Sequence, residues 1–169
     1  LTDVESGQVI SASFLVLSIV SAILPVFLLE PLARSFGRVK VHAFAMISMS
    51  IAYFALSMLG AERIAIYVMM GFLGIGWAAT ISLPFAIMSQ KVNATKMGLY
   101  MGLFNLSVVL PQLVASLGIG KLLNQVEDKN LLFVICGICL AISALAWFSV
   151  KEDPVTEQNQ EKSEFASGH

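Results

Sequence analysis

The sequence predicts an all-α protein, a polytopic bundle of about five membrane-spanning helices. Three observations lead to this prediction. Of the 169 residues, 57% are hydrophobic, the mean hydropathy is +0.84, and 12% are charged, against about a quarter in soluble domains. The apolar residues gather in five segments, each near or above the roughly 20 residues that cross a bilayer. Short polar or charged connectors separate the segments.

The five predicted spans cover residues 9–29, 41–60, 64–89, 98–120 and 131–150. Residues 1–8 carry Asp3 and Glu5 and are predicted to form an extracytoplasmic loop. Residues 151–169 are polar, with little that could pack in a core, and are predicted to form a disordered cytoplasmic tail. Because the first residue is Leu1 rather than Met, we expect the chain to begin inside a larger protein.

The basic residues predict the orientation of the spans. If the first and third connectors and the tail share one side, that side holds seven basic residues and the other holds three. Cytoplasmic loops carry the excess of Lys and Arg, so we expect an external N-terminus and a cytoplasmic C-terminus in the cell membrane. The seven are Arg34, Arg38, Lys40, Lys91, Lys96, Lys151 and Lys162, and the three are Arg63, Lys121 and Lys129.

The sequence gives no indication of an enzyme. It lacks the HExxH, GxSxG, P-loop and dinucleotide-binding motifs. It also lacks a dense basic patch with interleaved aromatics, so no nucleic-acid partner is expected. Cys136 and Cys139 form a CxxC pair without a nearby His or acid, a pattern that core packing explains better than metal binding. No metal or cofactor is expected.

The fourth segment, GLYMGLFNLSVVLPQLVASLGIG, is uncharged but carries two primary amides, Asn105 and Gln112. At about 100° per residue they share a narrow stripe with Gly98 and Gly102. An unpaired amide in hydrocarbon costs several kcal/mol, so both amides need partners. Two interpretations stay open: hydrogen bonds to a neighbouring helix, or direct bonds to a polyhydroxylated or zwitterionic solute.

Other residues of the third and fourth segments are candidates for packing or for solute contact. Trp77 lies in mid-segment, where its indole either stacks on a sugar ring or packs in the protein. Gly98 and Gly102 form a small-xxx-small pair that allows close helix approach. Pro84 and Pro111 each remove a backbone hydrogen bond and are expected to kink their helices.

Two motifs resemble those of a known family. The connector RSFGRVK resembles the loop signature of the major facilitator superfamily, with Gly37, Arg38 and Lys40 matching and Arg34 standing where the family has an acidic residue. The fourth segment is similar to the eleventh helix of sucrose–proton symporters and related glycoside transporters. The preceding SLPFA, residues 82–86, resembles the tenth helix of that branch.

This resemblance implies a twelve-helix transporter of two halves, of which the five segments are helices eight to twelve. It implies alternating access of a solute path between the halves, with sucrose, maltose or another glucoside as substrate and a proton as the coupling ion. The partners would be the bilayer, the sugar and the missing N-terminal half. The alternatives are a drug or metabolite exporter of the same superfamily and a non-transporting membrane scaffold or assembly subunit.

Residue chemistry and the resemblance together give the candidate site residues. Asn105, Gln112 and Trp77 are expected to bind substrate. A second group is expected to act in gating or packing, and it comprises Gly37, Arg38, Gly98, Gly102, Pro84 and Pro111.

Overall fold

Long α-helices make up nearly all of the part of the chain that the computed structural model describes. The described residues are 3–59, 62–92, 94–125, 128 and 130–151, and they contain no β-strand. The predicted tail from residue 152 onward, and residues 1 and 2 of the predicted loop, lie outside them.

Six α-helices and two short segments follow one another along the described chain. Five stretches are long and apolar enough to cross a membrane, which confirms the predicted fold class. The elements are α1 (Asp3–Leu24), a π-helical segment (Pro25–Leu29), α2 (Glu30–Phe36), α3 (Arg38–Leu59), α4 (Arg63–Lys91), a 3₁₀ turn (Ala94–Lys96), α5 (Met97–Gln125) and α6 (Asn130–Phe148).

The first span begins earlier than the sequence suggested. Helix α1 starts at Asp3, so the described part of the predicted loop, residues 3–8, is helical instead. Asp3 and Glu5 lie in the first turn, where carboxylates are stabilised by the positive end of the helix dipole. Asp3–Phe36 covers 34 residues, or about 51 Å at 1.5 Å per residue, which exceeds a hydrocarbon core of about 30 Å.

The first span departs from α-helical geometry at Pro25. Because Pro25 has no backbone N–H, the regular hydrogen-bond pattern cannot continue through it, and residues Pro25–Leu29 form a π-helical turn. The N–H of Glu30 donates to the carbonyl oxygen of Pro25. Helix α2 then ends at Gly37, whose φ of 91° and ψ of 146° favour glycine. A single residue therefore separates α2 from α3.

Helix α4 lies between α1 and α3, and glycines form both contacts. A Cβ added at Gly74 would lie 2.9 Å from the Leu17 carbonyl oxygen and 2.9 Å from Val20 Cβ, both in α1. A Cβ added at Gly76 would overlap the Met49 side chain of α3. The two helices approach α4 closely because these two positions lack side chains.

Helix α6 packs along α3 on the side away from α1. The buried Ser50 hydroxyl of α3 donates a 2.7 Å hydrogen bond to the Gly137 carbonyl oxygen of α6. A Cβ added at Gly137 would lie 3.0 Å from the Phe54 ring. Small buried side chains, among them Ala52 and Ala144, let the helices approach along this contact.

Candidate functional site

Helix α5 carries the two amides that the sequence singled out, and its amide face points away from the packed helices. Asn105 and Gln112 are both exposed. Seven residues apart, they lie on one face, about 10.5 Å apart along the axis. Neither amide has a hydrogen bond to another residue within the described part of the chain. Their partners must therefore be water, a solute or protein from outside it.

The rest of α5 is also largely uncovered. No residue of Met97–Ile119 is buried. A ring contact joins the helix to α4, with Phe104 and Phe85 edge to face at 6.5 Å between centroids. An exposed apolar helix of this length needs lipid or protein to cover it. The amide face, by contrast, needs polar partners, so the two sides of α5 require different environments.

Much of the Trp77 indole in α4 is exposed. Its side chain is 46% exposed, so a large part of the ring remains available for stacking. Pro84 lies seven residues on, on the same face of α4, and Pro111 occupies the middle of α5. Each helix continues as α-helix through its proline. The expected kinks, and the contact of Trp77 with a sugar, stay predictions.

The glycine pair of α5 has no packing partner within the described residues. Apart from the neighbouring backbone of α5 itself, no heavy atom there comes within 4 Å of a Cβ added at Gly98 or at Gly102. Close packing at this pair therefore stays a prediction that requires a helix from beyond the described chain.

Gly37 and Arg38 lie at the junction of α2 and α3, as the connector motif placed them in the sequence. Both line a groove of about 840 Å³ that also touches α4 and the end of α6. Nearby, Arg34 and Glu30 form an exposed salt bridge at 2.7 Å, and exposed pairs of this kind contribute about 0.3–0.5 kcal/mol. The gating role of this connector stays a prediction.

His42 is a polar residue whose burial the sequence analysis missed. Its side chain is 2% exposed, and its Nδ1 has no hydrogen-bond partner in the described structure. The ring packs edge to face on Trp147 of α6, with 4.4 Å between centroids. A signal was present in the sequence: His42, Ala45, Met46 and Met49 recur with the period of one helix face, and all four are buried.

Within the described residues, no group of three or more His, Cys, Asp or Glu side chains could hold a metal ion. The two cysteines are free, with Cys136 half-buried and Cys139 exposed.

Five apolar spans, four of them packed through glycines and the fifth with a polar face, define a multi-pass membrane protein. Residues 2–167 match the sequence model of the Major Facilitator Superfamily. The chain belongs to this superfamily, whose members are transporters rather than enzymes. The match confirms the superfamily that the connector motif suggested. No solved structure matches the chain.

Proposed function

We propose that this chain is the C-terminal part of a sugar–cation symporter, comprising helices eight to twelve, and that the sugar is sucrose, maltose or another glucoside. An N-terminal half would complete the solute path, and rocking of the two halves would give alternating access. The observation that carries this proposal is the exposed amide face of α5, with Asn105 and Gln112 in a span, Met97–Ile119, that holds no charged residue.

The chemistry of the two amides suits a sugar. Each offers two N–H donors and a carbonyl acceptor, which match the alternating donors and acceptors of vicinal hydroxyls. Their separation of about 10.5 Å along the helix is wider than one pyranose ring, which favours a disaccharide or a glucoside over a monosaccharide. The half-exposed indole of Trp77 would supply an apolar face for a sugar ring.

We further propose the proton as the coupling ion, taken up by an acid in the N-terminal half. Coupling acids lie within the membrane in proton-driven transporters. The five spans of this chain have no Asp or Glu at their centres, and Glu30 lies near a helix start, where it pairs with Arg34. This arrangement supports a transporter in which the C-terminal part binds the sugar and the other half binds the proton.

The test is uptake of labelled sugar by the full-length protein carrying Asn105→Ala or Gln112→Ala. Each substitution should reduce uptake at least tenfold at near-normal membrane abundance, because a lost hydrogen bond to a buried sugar costs about 1.5 kcal/mol. Ser107→Ala is the matched control, since the Ser107 hydroxyl donates to the Phe104 carbonyl oxygen of its own helix. Normal kinetics in both amide variants would refute direct contact with the sugar.

A further inference from the structure

Ser116 lies on the amide face of α5, beyond Gln112. At about 100° per residue, its direction around the helix is within about 20° of Asn105 and about 40° of Gln112. Ser116 is exposed, as both amides are. Along the helix axis it lies about 6 Å beyond Gln112 and about 16.5 Å from Asn105. The polar part of this face is therefore longer than the distance between the two amides.

The hydroxyl of Ser116 is not bound to its own helix, in contrast to that of Ser107. Ser107 donates a 2.7 Å hydrogen bond to the Phe104 carbonyl oxygen, and it lies about 160° around the helix from Asn105. Ser116 has no hydrogen bond to another residue within the described part of the chain. Its hydroxyl is therefore available both as a donor and as an acceptor, and within a span it needs a polar partner.

The polar side chains of this face occupy one half of the span. In the orientation expected from the basic connectors, the span Met97–Ile119 runs from the cytoplasmic to the extracytoplasmic side. Asn105 lies near its middle, and Ser116 lies about 4.5 Å from its extracytoplasmic end. Toward the cytoplasm the same face carries Gly98 and Gly102, which have no side chains. A solute held at Asn105 therefore meets further polar side chains of this face only on the extracytoplasmic side.

We propose that Ser116 determines the length of the sugar that this site accepts, by binding a hydroxyl of a third unit beyond the two that contact Asn105 and Gln112. This inference rests on the proposed function. It extends the substrate class to trisaccharides and to glucosides with a hydroxylated aglycone, with the additional unit directed toward the extracytoplasmic side. A serine suits this role because its hydroxyl both donates and accepts, while its small side chain leaves room for a sugar unit.

The test compares sugars that differ by one unit, in uptake by the full-length protein in liposomes. The pairs are maltose with maltotriose and sucrose with raffinose, all radiolabelled. We expect Ser116→Ala to raise the KM for the trisaccharide about fivefold, the usual effect of one lost hydrogen bond, and to leave the KM for the disaccharide unchanged. The maximal rate should change little, because a contact made equally in the ground state and the transition state affects KM alone.

Matched variants separate sugar contact from a structural role of Ser116. Ser116→Thr keeps the hydroxyl and should retain the wild-type ratio of the two KM values. Ser107→Ala removes a hydroxyl from another side of α5 and should leave both KM values unchanged. The membrane abundance of each variant is measured so that rates refer to the same amount of protein. A structural role would change the uptake of both sugars alike.

Three results would overturn the proposal. Equal KM values of Ser116→Ala and wild type for the trisaccharide, or an equal rise for both sugars, would show that Ser116 does not read sugar length. Uptake of disaccharides but of neither trisaccharide by the wild type would show that the site accepts no third unit. Both of these results leave the proposed function standing. Uptake of no sugar by the wild type would refute the proposed function itself, and the role of Ser116 with it.

Discussion

The contact between α1 and α4 at Gly74 predicts that adding a single methyl group at this position lowers the stability of the protein. A Cβ at this position would lie 2.9 Å from the Leu17 carbonyl oxygen and 2.9 Å from Val20 Cβ. Carbon contacts are optimal at 3.5–4.0 Å, so Gly74→Ala requires α1 and α4 to separate by about 0.6 Å or more. One obstructing atom belongs to the backbone, which cannot rotate away as a side chain can.

We expect Gly74→Ala to lower the free energy of unfolding by about 1–3 kcal/mol, the usual cost of overpacking. The assay is SDS-induced unfolding of the full-length protein in detergent micelles, with tryptophan fluorescence as the readout. Gly71→Ala is the matched control, one turn earlier on the same helix, where an added Cβ would meet nothing within 4 Å. It should be neutral or slightly stabilising because alanine favours helix over glycine. Equal stabilities of the two variants would refute the glycine-mediated contact.

Three further predictions concern α3 and the turn before it, each measured with the same unfolding assay. Ser50→Ala should lower the free energy of unfolding by about 0.6–1.7 kcal/mol, because it removes the hydrogen bond between α3 and Gly137 of α6. Ser57→Ala should lower it less, because the Ser57 hydroxyl bonds within its own helix. Equal losses in the two variants would contradict the interhelical role of Ser50. His42→Phe should cost less than His42→Ala, because it keeps a ring against Trp147 and removes the unpartnered Nδ1 together with the hydrogen bond to the Ala79 backbone. His42→Ala should cost about 2–5 kcal/mol by leaving a cavity. Equal costs of the two variants would contradict this assignment. Gly37→Ala should lower the free energy of unfolding by about 1–3 kcal/mol, because Gly37 has a positive φ that alanine adopts only with strain. Wild-type stability of this variant would show that the turn does not require glycine.

The sequence predicted the fold class because its signal is local. A run of about 20 apolar residues between charged connectors can hardly form anything but a helix that spans a membrane, and the described chain has five helical stretches long and apolar enough to do so. The extension of α1 to Asp3 was missed because residues 1–8 look like a loop by polarity alone. Their carboxylates instead lie in the first helical turn.

Features that depend on contacts between distant segments could not be predicted from the sequence. The burial of His42 requires Trp147, 105 residues further on, to pack against it. The distinct roles of Gly71 and Gly74, in the same helix, appear only when α1 is placed against α4. The groove at the α2–α3 junction is formed by three separate stretches of the chain, within residues 25–40, 82–86 and 148–150, so the connector motif alone could not indicate it.

For the candidate site, in contrast, the sequence alone identified the main residues. The amides of α5 were found from residue type and spacing alone, since polar groups within an apolar span are rare. The structure adds that both are exposed and lack hydrogen-bond partners in the described chain. It also shows that no residue of Met97–Ile119 is buried by the other described helices. Their role therefore depends on whether lipid, other protein or a solute lies against this face.

The measurement that tests the central proposal most directly is counterflow of radiolabelled sugars in liposomes that contain the full-length protein, with and without an imposed pH gradient. The proposal predicts exchange of sucrose, maltose or another glucoside, accumulation of that sugar when the outside is acidic, and loss of both in Asn105→Ala/Gln112→Ala. Exchange of cationic drugs without any sugar would instead indicate an exporter. Exchange of no solute by a correctly folded protein would indicate a scaffold, and either result would contradict the proposal.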